Sequence, residues 1–315
     1  MTCTGRASQC AGGTRNVEVV DNKNEVSEFL TSRRAGLSPE QAGVIGGGTR
    51  RVPGLRRGEV AVLAGVSVEY YAKLERGNIA GASESVLHAI ALALQLNDAE
   101  RAHLIDLARA AQAPLPTRQR RRGSTRAAAV RPGMQLVLDT ITGGPALIRN
   151  GRMDILAANA LGRALHTETL ESPGDGNIAR YTFLDPRADD FYPHWDSAAD
   201  IVVAILRTEA GRDPYNKAIQ DLVGELSTRS DQFRIRWGAH NVRQHGAGTK
   251  NFIHPIVGEL TFAYEDMQFI QQPGLTFLIY ATETGSASEE RIRLLASWQA
   301  TQDAAATTPV GSPHQ

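Results

Sequence analysis

The stretch "VAVLAGVSVEYYAKLERG" (residues 60–77) carries two helical patterns separated by a glycine. Gly65 can adopt the positive φ that a tight turn between helices requires, and the hydroxyl of Ser67 suits the N-cap of the second helix. Gly77 fits the position just after that helix ends. The stretch therefore predicts two short helices joined by a turn of about three or four residues.

The predicted helix pair has an inner and an outer face. Ala61 is small enough to let the two helices approach each other closely. The inner face is expected to contain Val60, Ala64, Val66, Tyr71 and Leu74. The outer face of the second helix is expected to present Val68, Glu69, Tyr70, Ala72 and Lys73. Tyr71 should therefore pack in the core, whereas its neighbour Tyr70 should reach outward.

An outward-facing second helix is the DNA-reading element of a helix-turn-helix. Its N-terminal residues enter the major groove, while the first helix crosses the phosphate backbone. On this geometry the predicted DNA contacts are Arg56, Arg57, Ser67, Val68, Glu69, Tyr70 and Lys73. The sequence thus predicts binding to double-stranded DNA.

Helical patterns continue on both sides of this motif. An apolar helical spacing begins at Val26, and a short helix is predicted from Ser38, where Gln41 completes a capping box. Asn97 and Glu100 form a second capping box. The other expected helices cover about residues 56–64, 68–76, 84–95 and 98–111. No strand pattern interrupts them, so the first domain is predicted to be all-α.

The segment "RRGEVAVLAGVSVEYYAKLERG" (residues 56–77) resembles the XRE-type, lambda-repressor-like helix-turn-helix. The residues that carry the resemblance are Ala61, Gly65, Val66, Ser67, Tyr71, Leu74, Glu75, Arg76 and Gly77. One departure is Arg57, where this family often has a glutamine that joins phosphate and recognition helix. The resemblance implies that Arg57 keeps a backbone contact without that amide bridge. The segment "SPEQAGVIGGGTRRVPGLRR" (residues 38–57) further resembles the MmyB-like subfamily.

Composition bounds the remaining possibilities. At 315 residues the chain is long enough for two domains, and 42% of its residues are hydrophobic. No apolar run reaches the length of about 18 residues that a membrane helix needs, and the first residues lack a secretory-signal pattern. Cys3 and Cys10 lie in a Gly/Thr/Ser-rich leader and are expected to be free and reduced. We therefore expect a cytoplasmic protein with no membrane partner.

The zero net charge hides an asymmetry along the chain. Residues 1–131 carry 19 basic and 12 acidic side chains, whereas residues 132–298 carry 15 and 21. The segment "QAPLPTRQRRRGSTRAAAVR" (residues 112–131) has six arginines and no acid, which predicts a solvated basic linker. Its predicted phosphate contacts are Arg118, Arg120, Arg121 and Arg122. The first part of the chain is thus the part suited to a polyanion.

The second half of the chain begins with a hairpin pattern. The segment "PALIRNGRMDILAANA" (residues 145–160) predicts two strands around a two-residue turn at Asn150 and Gly151, followed by a helix from Asn159. Further helices are expected near residues 133–142, 194–210, 215–228 and 230–239.

Strand patterns return near the C-terminal end. They lie in residues 251–269 and 274–283, where Leu260, Phe262 and Tyr264 alternate on one face. A hairpin, several helices and further strands predict an α+β domain in which one antiparallel sheet wraps around a cavity.

Residues 132–298 resemble the MmyB-like ligand-binding domain, a PAS-like module. The segments that carry the resemblance are "PGMQLVLDTI", "FLDPRADDFYPHW", "GELSTRSDQFRIRWGAHNVR" and "GTKNFIHPIVGEL". The resemblance implies a sensory pocket in which long-chain, fatty-acid-like molecules are the credible ligands.

The pocket residues are open to two interpretations. Arg236, Trp237 and His240 share a helix surface and could clamp an anionic head group, although core packing explains such a spacing more often. The predicted ligand-binding set is Asn159, Phe183, Tyr192, Trp195, Arg236, Trp237 and His240. Asn159 also fits the simpler role of helix N-cap. A domain without a cavity above about 300 Å³ and without a response to acyl ligands would instead indicate a protein-docking role.

Other functions remain open. The second domain could dock a partner protein, or it could be an acyl hydrolase with Ser227, His240 and His245 as poor catalytic candidates. The patterns GxSxG, HExxH and GxGxxG are absent from the sequence. We therefore predict no catalytic residue, no metal and no cofactor.

The sequence analysis predicts a transcription regulator in which a small ligand in the second domain modulates DNA affinity. One recognition helix buries too little surface to select a genomic site, so a homodimer is expected. The predicted segments are a disordered leader (1–23), a helix-turn-helix domain (24–111), a basic linker (112–131), a PAS-like domain (132–298) and a disordered tail (299–315).

Overall fold

The N-terminal part of the chain is helical wherever it has regular structure. The computed structural model describes residues 22–44, 54–112, 130–239 and 246–307. The helices of the N-terminal domain are α1 (Asn22–Gly36), α2 (Arg57–Leu63), α3 (Val68–Glu75), α4 (Glu84–Ala93) and α5 (Asp98–Gln112). Their buried apolar side chains form one core, which contains Phe29, Val60, Tyr71, Leu74 and Leu104. The all-α prediction is confirmed, and the helix-turn-helix is formed by α2 and α3.

One predicted helix of this domain does not form. The backbone N–H of Ser38 donates to Gln41 Oε1 at 3.0 Å, and the N–H of Gln41 donates to Ser38 Oγ at 3.2 Å. The capping box is therefore present, but residues 38–43 make a turn and not a helix. The chain leaves this turn at Gly43, before a second helical turn could begin.

The C-terminal domain combines helices with one sheet. Its elements are α6 (Pro132–Thr140), β1 (Ala146–Asn150), β2 (Ile155–Ala158), α7 (Ala160–Leu165), α8 (Thr167–Glu171), α9 (Ile178–Leu184), α10 (Arg187–Phe191), α11 (Trp195–Arg212), α12 (Lys217–Arg229), α13 (Asp231–Gly238), β3 (Ala247–His254), β4 (Gly258–Gln268), β5 (Leu275–Ala281) and α14 (Ala287–Thr307). The strands pair antiparallel in the order β2-β1-β5-β4-β3. This architecture confirms the α+β prediction.

The two faces of the sheet bury different partners. Leu260, Phe262 and Tyr264 are buried on the face that meets α7, α10 and α14. On the opposite face, Met134 and Leu138 of α6 pack against β1 and β5. Helices α9, α11, α12 and α13 form a separate apolar cluster beside the first face. The cavity described below lies between that cluster and the sheet.

The first hairpin differs from its prediction. The side-chain oxygen of Asn150 accepts from the backbone N–H groups of Arg152 at 2.9 Å and Asp154 at 3.0 Å. Met153 has a φ of 66°, whereas the turn predicted at Gly151 would have placed the positive φ there. The hairpin forms as predicted, but the two-residue turn at Asn150 and Gly151 is wrong. The N–H of Met153 donates to the Asn150 carbonyl at 2.9 Å, and the N–H of Asn150 donates to the Asp154 carbonyl at 3.2 Å, so the loop covers residues 151–153.

Several helices escaped the sequence analysis. Helices α8, α9 and α10 span only one or two turns, which is too short to show a helical period.

Helix α14 extends through residues 299–307, which the sequence analysis assigned to a disordered tail, and it buries Ile292 and Leu295. Helix α1 begins at Asn22, inside the segment assigned to the leader.

Candidate functional site

The turn between α2 and α3 has the geometry that its sequence predicts. Gly65 has a φ of 65° and Gly77 a φ of 85°, both in the left-handed region that favours glycine. The Ser67 hydroxyl accepts a hydrogen bond from the backbone N–H of Tyr70 at 3.1 Å and so caps α3. The turn and the cap together fix the direction in which α3 leaves the domain.

A buried carboxylate holds α3 against the two preceding helices. The Glu75 side chain is 1% exposed and accepts from Arg34 Nε of α1 at 2.7 Å. Arg57 Nε of α2 donates to the other carboxylate oxygen, and the Thr31 hydroxyl donates to the first at 3.2 Å. The hydrogen bond and charge of Glu75 raise the pKa of Arg57. Arg57 therefore orients the helix pair, in addition to its predicted contact with DNA.

Most of the predicted DNA-contact residues, which lie on α3 and at the start of α2, are exposed. The exposed members of the predicted set are Arg56, Arg57, Ser67, Val68, Glu69 and Lys73. Tyr70 is half-buried and packs partly against the core, while Tyr71 is fully buried. The outward placement of Lys73 and the inward placement of Tyr71 are as predicted. The linker residues Arg118, Arg120, Arg121 and Arg122 lie outside the described residues.

A cavity of about 240 Å³ lies between the sheet and α11. Its apolar walls include Ile178 of α9, Ile201, Val202 and Ile205 of α11, and Phe252, Leu278 and Tyr280 of the sheet. Charged or titratable side chains are few and come from Arg149, His166, His194 and Lys250. An apolar cavity with a few converging polar groups has the composition of a small-molecule site, although its volume is below the usual range of about 300–1,000 Å³.

Lys250 of β3 brings a positive charge to the cavity wall. Its Nζ lies 4.4 Å from the ring centroid of Tyr264 and 5.6 Å from that of Tyr280. No carboxylate in the described part of the chain forms an ion pair with it. Burial lowers the pKa of Lys250 to about 8, and the charge of Arg149 acts in the same direction, while Asp266 opposes them. Lys250 is thus charged at neutral pH and has no counterion within ion-pair distance among the residues that the structure describes.

His166 lies at the C-terminal end of α7 and is 2% exposed. Neither of its ring nitrogens has a hydrogen-bond partner among the described residues. The ring lies 6.2 Å, centroid to centroid, from each of the rings of Phe191, Phe252 and Tyr280. Burial lowers the pKa of His166 to about 3, with smaller contributions from Lys250 and His254. The imidazole is therefore neutral, and its N–H is available as a hydrogen-bond donor.

Arg149, another cation at the cavity wall, already has an ion-pair partner. Arg149 of β1 donates to Asp266 of β4 at 2.8 Å, and both side chains are buried. The pair joins two strands that flank β5. Arg149 therefore stabilises the sheet at the edge of the cavity, whereas Lys250 remains the cation without an ion pair there, within the part of the chain that the structure covers.

The predicted ligand-binding residues are spread over several places. Tyr192 lines the cavity. Phe183, Trp195 and Trp237 do not; the Phe183 ring lies 5.7 Å from Trp195 and 5.1 Å from Phe233, on which Trp237 stacks at 5.6 Å. These three aromatic side chains fill the space between helices. His240 lies outside the described residues.

Two polar residues of the predicted set are used inside the fold. Arg236 pairs with Asp196 and with Asp200 at 3.2 Å, and its guanidinium lies 5.0 Å from the Trp195 ring. The Asn159 amide donates to the carbonyls of Ile141 and Gly144 at 2.7 and 2.8 Å. Its side-chain oxygen accepts from the backbone of residues 146 and 162. Neither side chain reaches the cavity.

The residues that sequence reasoning missed are Arg149, His166 and Lys250. One signal for Lys250 is present in "KNFIH" (residues 250–254), because residues 250, 252 and 254 share a strand face and the other two are a phenylalanine and a histidine. A lysine on an inward face is unusual and marks a candidate site. His166 follows a six-residue helix and carries no comparable signal.

Two alternatives, a metal site and a catalytic triad, concern residues that the structure describes only in part. Within residues 22–44, 54–112, 130–239 and 246–307, no group of three histidine, cysteine, aspartate or glutamate side chains could hold a metal ion. Ser227 lies on α12 and does not line the cavity, and the histidines considered as its partners lie outside the described residues.

Two family models match the chain. The model for the MmyB-like transcription regulator ligand binding domain matches residues 130–295, more than half of the chain, and a helix-turn-helix domain model matches residues 27–104. The chain belongs to the MmyB-like transcription regulators. It combines a DNA-binding helix-turn-helix with a domain that binds a small ligand. No curated protein matches this MmyB-like regulator. None of its described helices is both long and apolar enough to cross a membrane.

Proposed function

We propose that this MmyB-like regulator changes its affinity for double-stranded DNA when a small ligand with a fatty-acid-like apolar body and an anionic head occupies the cavity. The observation that carries the proposal is that Lys250 and His166 both line a cavity whose walls are mainly apolar. A buried charge or donor without a partner costs free energy. A carboxylate between these side chains would pair with the ammonium group and accept from the imidazole N–H.

The size of the cavity limits the length of that ligand. A cavity of about 150 Å³ accommodates benzene, with its six carbon atoms. On the same scale, the 240 Å³ seen here holds roughly ten non-hydrogen atoms. Octanoate has that size, so a medium acyl chain fits better than the long chain implied by the family resemblance.

The DNA side of the proposal rests on the exposed face of α3. Lys73 and the α2 residues Arg56 and Arg57 lie at the surface where a helix-turn-helix meets phosphate and bases. We further propose that the protein acts as a homodimer, because two half-sites multiply the specificity of one short recognition helix. The linker arginines would add phosphate attraction that does not depend on DNA sequence.

The first experiment compares octanoate with octanamide, which has the same number of non-hydrogen atoms but no charge. Octanoate at one hundred times its dissociation constant should stabilise the protein by about 2.7 kcal/mol, which is visible as a thermal shift. Octanamide should bind at least about ten-fold more weakly, because it lacks the ion pair with Lys250. Octanoate should also change the affinity for operator DNA, since a ligand shifts an equilibrium only by its differential affinity.

A substitution identifies the residue responsible. The Lys250→Met variant should bind octanoate at least about ten-fold more weakly than the native protein, with little change for octanamide. Lys217→Met is the matched control, because Lys217 is an exposed lysine on α12 that pairs with Asp221. Equal losses for octanoate and octanamide would show that Lys250 shapes the cavity without recognising charge. Absence of any thermal shift and of any effect on DNA affinity would favour the protein-docking function.

A further inference from the structure

Helix α11 contacts both the ligand cavity and the N-terminal domain. Ile201, Val202 and Ile205 lie along the cavity wall. Further along the same helix, Arg207 and Arg212 face the N-terminal domain and reach Glu25 of α1 and, at 3.4 Å, Asp106 of α5. Because one rigid helix carries both surfaces, a shift of α11 at the cavity must also change its position at the domain interface.

The interface contains a buried ion pair. The Arg207 side chain is fully buried and donates to Glu25 Oε1, and Glu25 itself is 5% exposed. The Arg207 guanidinium also lies 4.2 Å from the Trp237 ring and donates to the Trp237 carbonyl. Removing one partner of a buried ion pair strongly destabilises the protein, because the other charge stays buried without a counterion. The contact therefore depends on an accurate position of α11 against α1.

A glycine lies in the contact between α11 and the N-terminal domain. A Cβ atom on Gly211 would lie 2.7 Å from His103 Cε1 and 2.9 Å from His103 Nδ1. His103 is 1% exposed and packs edge-on against Phe29 at 5.1 Å, so its ring has little room to move. Gly211 is the residue that lets α11 pack directly against α5.

The cavity and the domain interface are also neighbours in space. A polar cleft of about 740 Å³ lies between α5 and the C-terminal domain, lined by residues that include His103, Asp106, Thr208 and Arg212. Arg149 and Ile205 line both this cleft and the ligand cavity. Ile205 thus has one surface toward the ligand and one toward the N-terminal domain.

From this placement we infer that α11 couples the two domains: the α11 position that closes the cavity around a ligand is the position in which Gly211 and Arg207 pack against the N-terminal domain. The inference rests on the proposed ligand site. Ligand binding and domain docking then stabilise one another. Because coupling between two sites is reciprocal, loosening the interface must weaken ligand binding, although neither Gly211 nor Arg207 lines the cavity.

The test uses the full chain and octanoate, with affinity measured by calorimetry. Gly211→Ala places a methyl group against His103 but favours the helix itself, so α11 is not weakened. Its octanoate affinity should fall at least about five-fold, the lower end of typical coupling between sites. Adding His103→Ala removes the obstructing ring and should restore the affinity to within about two-fold of the His103→Ala variant alone.

Two further variants sharpen the result. Gly133→Ala is the matched control, because it adds a methyl group to a helix of the same domain at a position with no neighbour within 4 Å. Glu25→Gln removes the charge that faces Arg207 and should weaken octanoate binding in the same direction as Gly211→Ala, from the side of the N-terminal domain.

The outcomes separate the two proposals. If octanoate does not bind the native protein, both the ligand site and the coupling are overturned. If it binds native and Gly211→Ala proteins equally, the coupling is overturned and the ligand site stands. A loss in Gly211→Ala that His103→Ala does not reverse would also overturn the coupling, because it would show damage within the C-terminal domain.

Discussion

The Glu75 cluster and the proposed ligand cavity both withdraw polar groups from solvent, Glu75 and His166 fully and Lys250 in part, but the two regions differ in the partners they supply. Glu75 accepts from Thr31 and Arg34 of α1 at one carboxylate oxygen and from Arg57 of α2 at the other. Lys250 faces two aromatic rings, and His166 has no hydrogen-bond partner among the described residues. The Glu75 carboxylate thus has protein donors at both oxygens, whereas the imidazole of His166 has no hydrogen-bond partner in the described structure.

The difference indicates what each cluster is for. A buried polar group with all its partners holds elements in place, because any rearrangement would break several charge-assisted bonds at once. A buried polar group without partners lowers stability and is retained where it serves another purpose. Removing the charge of Glu75 should therefore lower the free energy of unfolding, whereas removing the charge of Lys250 should raise it.

The largest effect is expected for Glu75→Gln. This change leaves the half-buried Arg34 without its anionic partner, and it should lower the free energy of unfolding by about 3 kcal/mol. Urea denaturation of the full chain measures the change. Glu69→Gln, at an exposed position on the same helix, should stay within about 0.5 kcal/mol of the native protein. Similar losses in both variants would mean that the Glu75 cluster has no special structural role.

The second effect appears in acid. The pKa of His166 is about 6.5 in an unfolded chain and about 3 in the folded protein, so the unfolded state binds more protons between these values. The free energy of unfolding must then fall as the pH is lowered through that window. His166→Gln removes this contribution. Between pH 7 and pH 4.5 the free energy of unfolding should therefore fall by about 2–3 kcal/mol less in the variant than in the native protein.

Denaturant titrations at the two pH values check this prediction. His88→Gln, at an exposed position on α4, controls for the loss of an imidazole as such. His254 is also buried with a lowered pKa, and it contributes equally to the native and His166→Gln curves. Identical pH dependence of native and His166→Gln proteins would contradict the burial of an unpaired imidazole.

The comparison also explains how far sequence reasoning could reach. Gly65, Ser67 and Gly77 act within a few residues of one another, so local patterns were sufficient to predict α2, α3 and the turn between them. The N-cap role of Asn159 was predictable for the same reason. Secondary structure that depends on near neighbours can be read from the chain alone.

The cavity residues could not be found in this way. Lys250 and His166 lie 84 positions apart in sequence and meet only because the strand order β2-β1-β5-β4-β3 brings β3 beside the end of α7. Arg236 was one candidate head-group clamp because of its near neighbours, but Asp196 and Asp200 on another helix engage it. The residue types suggested a cation that could face an anionic head group. Only the folded structure shows that Arg236 is already paired with carboxylates, whereas Lys250 forms no ion pair with a described residue.

The third prediction concerns Lys250 itself in the ligand-free protein. Its folded-state pKa of about 8 lies below the value of about 10.4 in an unfolded chain, so folding disfavours the charged form. The penalty is fully present below pH 8 and disappears as the pH rises to about 10.4. At pH 7, Lys250→Met should therefore raise the free energy of unfolding by about 1–2 kcal/mol, after allowance for the lost contact with the tyrosine rings.

The stabilisation should shrink when the same measurement is repeated at pH 10. Lys217→Met again serves as the control, because it replaces an exposed lysine. A less stable Lys250→Met protein at pH 7 would mean that Lys250 belongs with Glu75 as a structural group, and the contrast between the two regions would fail.

The smallest effect separates two basic residues of the DNA-binding domain. Lys73 is exposed and forms no ion pair with any described residue, whereas Arg57 already donates to Glu75. If Lys73 contacts one phosphate, Lys73→Gln should reduce the slope of log affinity against log salt concentration by about 0.9 and leave stability unchanged. Arg57→Gln should lower stability as well, because it removes a donor from buried Glu75. Salt titrations of DNA binding, with unfolding curves for both variants, distinguish a residue that only contacts DNA from one that also positions α3. An unchanged slope for Lys73→Gln would show that the outer face of α3 does not meet the phosphate backbone at this position.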